Sequence, residues 1–207
     1  MMKMRKWNFL FISLMLLLNS GYLLHLIVSG NQSRILVTLS VYLTVWIPRV
    51  ICHTLKIKLP ESMEFVYLLF VFLAQFLGSV VNLYSSIYWF DSFTHFISGI
   101  LTAVFALAIL NWFQKYDTKS VAFNIFFMIA FSLMVASLWE MFEFTSDQLL
   151  GGDTQKVLET GVSDTMKDMI VALLGAILTC IYYGYEKTCH KKQFFYQYEK
   201  ELGWKHE

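Results

Sequence analysis

A chain of 207 residues that is 57% hydrophobic and 17% aromatic, with two prolines and a net charge of +1, is too apolar for a soluble domain. The near-neutral charge argues against a nucleic-acid partner, and the three cysteines show no CxxC or Cys/His metal spacing. The apolar runs are continuous and do not alternate with polar residues, which excludes a membrane β-barrel. The sequence therefore predicts an all-α, polytopic transmembrane helical bundle.

The hydrophobic runs predict six spans, each near the length that a helix needs to cross about 30 Å of hydrocarbon. In chain order they lie at residues 7–28, 35–51, 65–84, 92–113, 121–142 and 165–183. We assign all six to one transmembrane domain at residues 1–185. The remaining residues, 186–207, form a basic and aromatic tail whose composition suits contact with lipids of the inner leaflet.

Lysine and arginine set the predicted orientation. With the amino terminus in the cytoplasm, thirteen of the sixteen basic residues fall on the inner side, and only Arg34, Lys156 and Lys167 fall outside. This bias follows the positive-inside rule and places both termini in the cytoplasm. Eight of the fifteen acidic residues then face outward, at or near the ends of apolar spans where charge is expensive.

The first acidic motif opens the fourth span. Asp91, His95 and Gly99 follow one another at intervals of four, so they line one face of a helix, and the glycine leaves room for a neighbour. Taken alone, Asp91 is more simply explained as a helix cap and His95 as an interfacial hydrogen-bonding group.

Two further motifs lie at the same predicted depth. Glu140, Glu143 and Asp147 close the fifth span, at the negative end of a helix dipole where carboxylates are disfavoured. Asp164 and Asp168 open the sixth span, one turn apart. A solvated, surface-facing stripe is the alternative explanation for the acids of the fifth span. For Asp168 the alternative is pairing with a basic group such as Lys167.

The conjunction of the three motifs predicts a divalent metal site. Carboxylates with one imidazole suit Mn²⁺, Mg²⁺, Zn²⁺ or Fe²⁺, and four or more carboxylates are enough for two ions. We predict His95, Glu140, Glu143 and Asp168 as metal ligands. We assign Asp91, Asp147 and Asp164 as catalytic candidates, either orienting the ligands or acting as general base.

The external loop at residues 148–163 contains Gly151-Gly152-Asp153-Thr154 and then Gly161. Glycines permit tight turns, so this segment is able to fold back over the helix ends as a lid. A flexible connector is the competing interpretation.

The three motifs, in this order and with six spans, resemble the YjdF-like family of small bacterial inner-membrane proteins. The residues that carry the resemblance lie between about residues 60 and 185; they are Asp91, His95, Phe96, Gly99, Glu140, Glu143, Asp164, Thr165 and Asp168. The stretch from Asp91 to Phe96 is also similar to a D-x-x-x-H-F stretch of VanZ-like envelope proteins. These resemblances imply the fold and a place in the bacterial cytoplasmic membrane, and they point toward envelope lipids.

Three functions are compatible with the sequence. The leading hypothesis is a metal-dependent enzyme that acts at the outer leaflet on a lipid-linked or cell-envelope substrate. A cation or proton transporter is the second, but the inner halves of the spans lack matching charges. A structural or regulatory membrane subunit with a stabilising ion is the third.

Overall fold

The computed structural model describes residues 2–56, 59–115, 120–155 and 157–204, and all regular elements in these ranges are helices. Their bounds are α1 Met2–Val28, α2 Ile35–Thr44, α3 Ile47–Leu55, α4 Glu61–Val71, a π-helix Phe72–Val80, α5 Leu83–Ser86, α6 Phe90–Trp112, α7 Val121–Leu150, α8 Val157–Thr160, α9 Ser163–Thr188 and α10 Phe194–Glu201. Five helical segments are long and apolar enough to span a membrane, or six if the bent pair α2 and α3 counts as one. The predicted all-α membrane class is confirmed. Four basic residues used for the orientation lie outside the described residues: Lys58, Lys119, Lys156 and Lys205.

The second predicted span is not one continuous helix. α2 and α3 meet at a bend of 40°. Pro48 lies in the first turn of α3 and explains the break, because proline has no backbone N–H to donate to the carbonyl of Thr44 four residues earlier. The hydroxyl of Tyr67 donates to the backbone oxygen of Thr44 at 2.9 Å, at the end of α2. Such a bond satisfies a carbonyl that the broken helix leaves without its usual partner.

The described chain divides into two compact units, Met1–Phe90 and Asp91–Glu207. The core of the first unit is built from α1, α2, α4 and the π-helix, with side chains such as Ile12, Val41, Leu68 and Phe76. The second unit contains α6 to α10 and all the candidate site residues. The single domain at residues 1–185 stays a prediction.

Small residues allow α6 and α9 to pack backbone to backbone. A Cβ added to Gly99 would lie 1.9 Å from the carbonyl oxygen of Ala172, and one added to Gly175 would lie 2.2 Å from that of Phe96. Close approach through glycine is a common way for membrane helices to associate. α7 joins the same bundle through Ser132, whose hydroxyl accepts a bond of 2.8 Å from Thr102 on α6.

α7 is longer than the predicted fifth span, because it continues two turns beyond Phe142 to Leu150. Its buried side chains recur every four residues: Asn124, Met128, Ser132, Ala136 and Glu140. α9 carries a comparable buried row that begins with Asp164, Asp168, Ala172 and Ala176. These two rows decide which acidic side chains point into the bundle.

The carboxyl-terminal segment folds against the second unit. Glu186 is buried at the end of α9, and its carboxylate accepts backbone N–H bonds from Gln193, Phe195 and Tyr196 at 3.1, 3.0 and 2.7 Å. It thereby satisfies donors at the start of α10 that have no partner within that helix. Phe195 is fully buried beside Tyr183, with ring centroids 5.0 Å apart. The predicted tail includes residues 205–207, which lie outside the described residues.

Replacing Glu186 with alanine is expected to release α10. Three backbone donors would lose a charged acceptor, and hydrogen bonds to charged groups contribute about 1.5–3 kcal/mol. Hydrogen exchange of residues 193–204 should accelerate while α6, α7 and α9 stay protected. The matched control is Glu201→Ala, an exposed acid at the end of α10. Unchanged exchange in Glu186→Ala would show that the other contacts of this segment, such as the ring packing of Phe195 and the ion pair between Lys187 and Glu199, are enough to hold α10.

Candidate metal centre

The first turns of α6 place two predicted site residues side by side. Nε2 of His95 lies 3.6 Å from Oδ1 of Asp91, four residues earlier, and both side chains are largely buried. The hydroxyl of Thr94 donates to the backbone oxygen of Asp91 at 2.8 Å. The spacing of four therefore brings the two side chains together on one face of α6, as the sequence predicts.

α9 completes a group of three. Nε2 of His95 lies 3.9 Å from Oδ2 of Asp168. One ligand atom from each of Asp91, His95 and Asp168 lies within 4.8 Å of the other two, and we call these three residues the triad. Among the described residues, no other group of three or more His, Cys, Asp or Glu side chains comes this close together.

The packing of α6 and α9 explains how the triad forms. Gly99 lies one turn beyond His95, and Ala172 lies one turn beyond Asp168. The backbones meet at Gly99 and Ala172, so the side chains one turn nearer the helix starts are brought face to face. The close packing at Gly99 therefore also sets the distance between His95 and Asp168.

The spacing within the triad is close to that of metal ligands. Ligand atoms about 2.1 Å from one ion lie roughly 3.0–3.4 Å apart in octahedral or tetrahedral geometry. The distances from His95 Nε2, 3.6 and 3.9 Å, exceed that range by a few tenths of an ångström. The third distance, between the carboxylates of Asp91 and Asp168, is at most 4.8 Å, so the three side chains would draw together to hold one ion.

α7 contributes Glu140 as a fourth candidate ligand beside the triad. Glu140 is 5% exposed, and it interacts electrostatically with Asp91 and Asp164. Asp168, 4% exposed, interacts in the same way with Glu140 and Asp91. Four carboxylates from three helices therefore repel one another in a buried site.

Two oxygens of this acidic group are buried without a hydrogen-bond partner among the described residues. They are Oε1 of Glu140 and Oδ1 of Asp168. Buried polar atoms in folded proteins almost always have a partner, and an uncompensated carboxylate is more costly still. These oxygens fit a site that holds a cation.

Glu143 and Asp147, also on α7, do not join the triad. Glu143 is half-buried and accepts a bond of 2.9 Å from the indole Nε1 of Trp139, four residues earlier on α7. It still interacts electrostatically with Glu140, Asp91 and Asp168. Asp147 accepts bonds from the backbone N–H and hydroxyl of Thr154, at 2.9 and 2.7 Å. Its role in the structure is to fold the loop that follows α7.

Asp164 lies in the first turn of α9, where a carboxylate is favoured by the helix dipole. Its side chain is buried, and Oδ1 accepts a bond of 3.0 Å from Nζ of Lys167. Lys167 is 41% exposed, so the pair lies at the edge of the acidic group. Asp168 is electrostatically influenced by Lys167 as well.

The sequence did not reveal Gln155. This side chain is 7% exposed, and its Nε2 donates to the backbone oxygen of Glu140 at 3.1 Å and to Oε2 of the same residue at 3.3 Å. It also lies 3.2 Å from the hydroxyl of Thr165. No motif marks Gln155, because its partners are distant along the chain and the residue sits in an irregular loop.

The described parts of the loop at residues 148–163 fold back toward α7 and α9 through Asp147 and Gln155. Gly151 ends α7 with a φ of +71°, a left-handed conformation that glycine adopts easily. Lys156 lies outside the described residues. Whether the loop acts as a lid stays a prediction.

Residues 10–188 match the family model described as "Predicted membrane protein (DUF2238)". The chain belongs to this family. A relative from Thermotoga maritima, described as an uncharacterised protein, is 31% identical to the DUF2238 chain over 121 residues. That alignment covers 57% of this chain and 59% of the relative, so the chain spans less than two thirds of its length. No solved structure matches. The resemblances to YjdF-like and VanZ-like proteins stay predictions.

Proposed function

We propose that this membrane protein holds a divalent metal ion between α6, α7 and α9 and acts as a metal-dependent enzyme on a lipid-linked or cell-envelope substrate. One observation carries the proposal: Asp91, His95 and Asp168 converge within 4.8 Å beside buried carboxylate oxygens that have no hydrogen-bond partner among the described residues. An oxygen-rich set with one imidazole favours Mn²⁺, Mg²⁺, Zn²⁺ or Fe²⁺.

Each acidic residue receives a role in this proposal. Asp91, His95 and Asp168 bind the ion, and Glu140 supplies a fourth ligand. Glu143 would join them only by giving up its bond to Trp139. Asp147 supports the loop, so it acts at a distance from the chemistry.

The proposed chemistry is hydrolysis or group transfer. A divalent ion at this place would supply Lewis-acid activation of water at neutral pH. Asp164 is the candidate general base, since it lies beside the acidic group and Lys167 holds one of its oxygens. The substrate class follows from position. The site lies at the ends of membrane-spanning helices, which is the depth of lipid headgroups.

The proposed location is the bacterial cytoplasmic membrane, with the acidic group facing outward and both termini inside. Reporter fusions after Lys115 and at the carboxyl terminus are expected to read cytoplasmic, and a fusion at Asp153 is expected to read external. The reason is the excess of lysine and arginine on one side. An external carboxyl terminus would reverse the orientation and place the metal site on the cytoplasmic face.

The packing next to the triad favours a one-sided site over a transporter. One turn beyond His95 and Asp168, the α6 and α9 backbones are too close to accept even a Cβ at Gly99. A hydrated ion is much larger than a methyl group, so it does not pass between these two helices in this arrangement.

Enzyme and transporter make opposite predictions in reconstituted membranes. Purified protein in liposomes is expected to give no proton or divalent-cation flux above empty vesicles. In detergent, protein stripped of metal with a chelator is expected to turn over a lipid-linked substrate only after a divalent ion is restored. No membrane gradient should be needed, because the chemistry takes place at one face. Flux that Glu140→Gln abolishes would establish the transporter instead. A metal ion that raises thermal stability without any turnover would favour a structural role.

A further inference from the structure

We infer that Gln155 is a positioning residue of the proposed metal site, which it serves by orienting Glu140 as the fourth ligand. The inference rests on the proposed function, since it assigns an outer support to the same site. Gln155 is a loop residue that touches none of the triad in the described contacts. Its bonds nonetheless fix Glu140, the acidic side chain beside the triad.

The two carboxylate oxygens of Glu140 have different surroundings. Nε2 of Gln155 donates to Oε2 of this carboxylate, while Oε1 is buried with no hydrogen-bond partner among the described residues. A carboxylate held by one oxygen presents the other in a fixed direction. Ligating carboxylates are commonly oriented in this way by hydrogen bonds from residues around the site.

Gln155 is itself held in place by several contacts. Its amide also bonds the backbone oxygen of Glu140, and it lies within hydrogen-bond distance of the hydroxyl of Thr165 on α9. Its own backbone N–H donates to Oδ2 of Asp147 at 3.1 Å. The side chain is therefore fixed from α7 and α9 and from its own loop, and it has little freedom to release Glu140.

Asp147 supports Gln155 in turn. This residue holds the backbone of both Thr154 and Gln155, so it sets where the amide of Gln155 lies. Asp147 is predicted from the sequence as a catalytic candidate, but it is connected to the Glu140 carboxylate only through two hydrogen bonds, both made by Gln155. Asp147 acts through Gln155, and Gln155 acts through Glu140.

The test is a double-mutant cycle read by metal binding. Mn²⁺ affinity of the purified full-length protein is measured by paramagnetic resonance of the free ion, and Co²⁺ absorption reports the coordination. Gln155→Met keeps the size of the side chain and removes the donor. Asp147→Ala removes the loop support. Leu158→Ala, an exposed position in the same loop, is the matched control.

Gln155→Met is expected to weaken Mn²⁺ binding about tenfold to a hundredfold, the range seen when support around a metal site is lost. It should also change the Co²⁺ spectrum, which a merely structural role would leave unchanged. Asp147→Ala should act in the same direction. The double variant should bind no more weakly than Gln155→Met alone, because both changes act on one contact. Leu158→Ala should behave as wild type.

Two results would count against the inference in different ways. If wild type binds Mn²⁺ and Gln155→Met binds it equally well with the same Co²⁺ spectrum, Gln155 has no positioning role and the metal site stands. If wild type binds neither ion, the proposed function fails and the inference fails with it. Should Gln155→Met not fold, Asp147→Ala alone tests the support of Gln155 through its backbone, and unchanged binding there would also overturn the inference.

Discussion

Asparagine in place of Asp168 is expected to abolish binding of divalent metal and to stabilise the metal-free protein. Asp168 links α9 to the triad, with Oδ2 at 3.9 Å from His95 and Oδ1 buried without a hydrogen-bond partner among the described residues. The change keeps the shape of the side chain and removes its charge. Metal content of the purified variant should fall to background, while wild type should carry a divalent ion near one per chain.

The stabilising effect follows from repulsion. Asp168 interacts with the like charges of Asp91, Asp164 and Glu140, and the partly exposed Lys167 offsets them only in part. A buried charge without compensation costs about 3–5 kcal/mol. Removing that charge recovers part of this cost when no ion is bound. Thermal unfolding in chelator should therefore occur at a higher temperature in Asp168→Asn than in wild type.

Two controls make this result specific. Glu159→Gln makes the same change of net charge at an exposed position and should alter neither metal content nor unfolding. His95→Ala should lose metal as Asp168→Asn does, but without the gain in stability, because it removes no negative charge. Full metal content in Asp168→Asn would refute the assignment of the triad.

Hydropathy was sufficient to predict the class of fold and most of the helices. The apolar runs of α1, α6, α7 and α9 are long, and nothing in their sequences interrupts them. The second span differed because the sequence does not say whether Pro48 ends one helix or starts another. α7 ran past its predicted end because apolar residues such as Phe144, Leu149 and Leu150 continue among its acids.

The pairing of Asp91 with His95 was predictable, since residues four apart on a helix are neighbours whatever the rest of the fold does. The deeper burial of Glu140 than of Glu143 was harder to predict, because it depends on which face of α7 is turned toward α6 and α9. The row from Asn124 through Ser132 and Ala136 to Glu140 recurs every four residues and holds mostly small or polar side chains. That signal in the sequence favours Glu140 as the inward acid, and Glu143 lies off the row.

Gln155 was not predictable from one sequence. Its contacts with Glu140 and Thr165 depend on how an irregular loop returns to two helices, and neither spacing nor composition encodes that path. The glycines of the loop predicted only that the chain is able to fold back toward the helix ends. Sequence patterns thus identify residues within one helix better than contacts that a loop makes across helices.

Alanine in place of Gly99 is expected to cause the largest loss of stability of the changes considered for the second unit. The added Cβ would lie 1.9 Å from the carbonyl oxygen of Ala172, which is backbone and has no rotamer by which to move away. The helices must separate to make room for the methyl group. Ordinary overpacking of a core costs about 1–3 kcal/mol, and this change is expected to cost more. Unfolding of the purified protein by SDS in mixed micelles measures the difference.

Gly184→Ala is the matched control for Gly99→Ala. Gly184 lies on α9 in the same unit, and its added Cβ would meet only the flexible end of Ile125, at an ordinary contact distance of 3.5 Å. Alanine also favours the helix over glycine, so this variant should be as stable as wild type or more so. Gly175→Ala, whose Cβ would approach the backbone of Phe96 at 2.2 Å, should resemble Gly99→Ala.

The metal site supplies a second measurement on the same variants. His95 and Asp168 each lie one turn from the point where α6 and α9 meet, so separating the helices moves the two ligands apart. Gly99→Ala and Gly175→Ala should therefore lose metal even in conditions where they remain folded, whereas Gly184→Ala should keep it. If Gly99→Ala matched Gly184→Ala in both stability and metal content, the close packing of α6 and α9 would not be what assembles the triad.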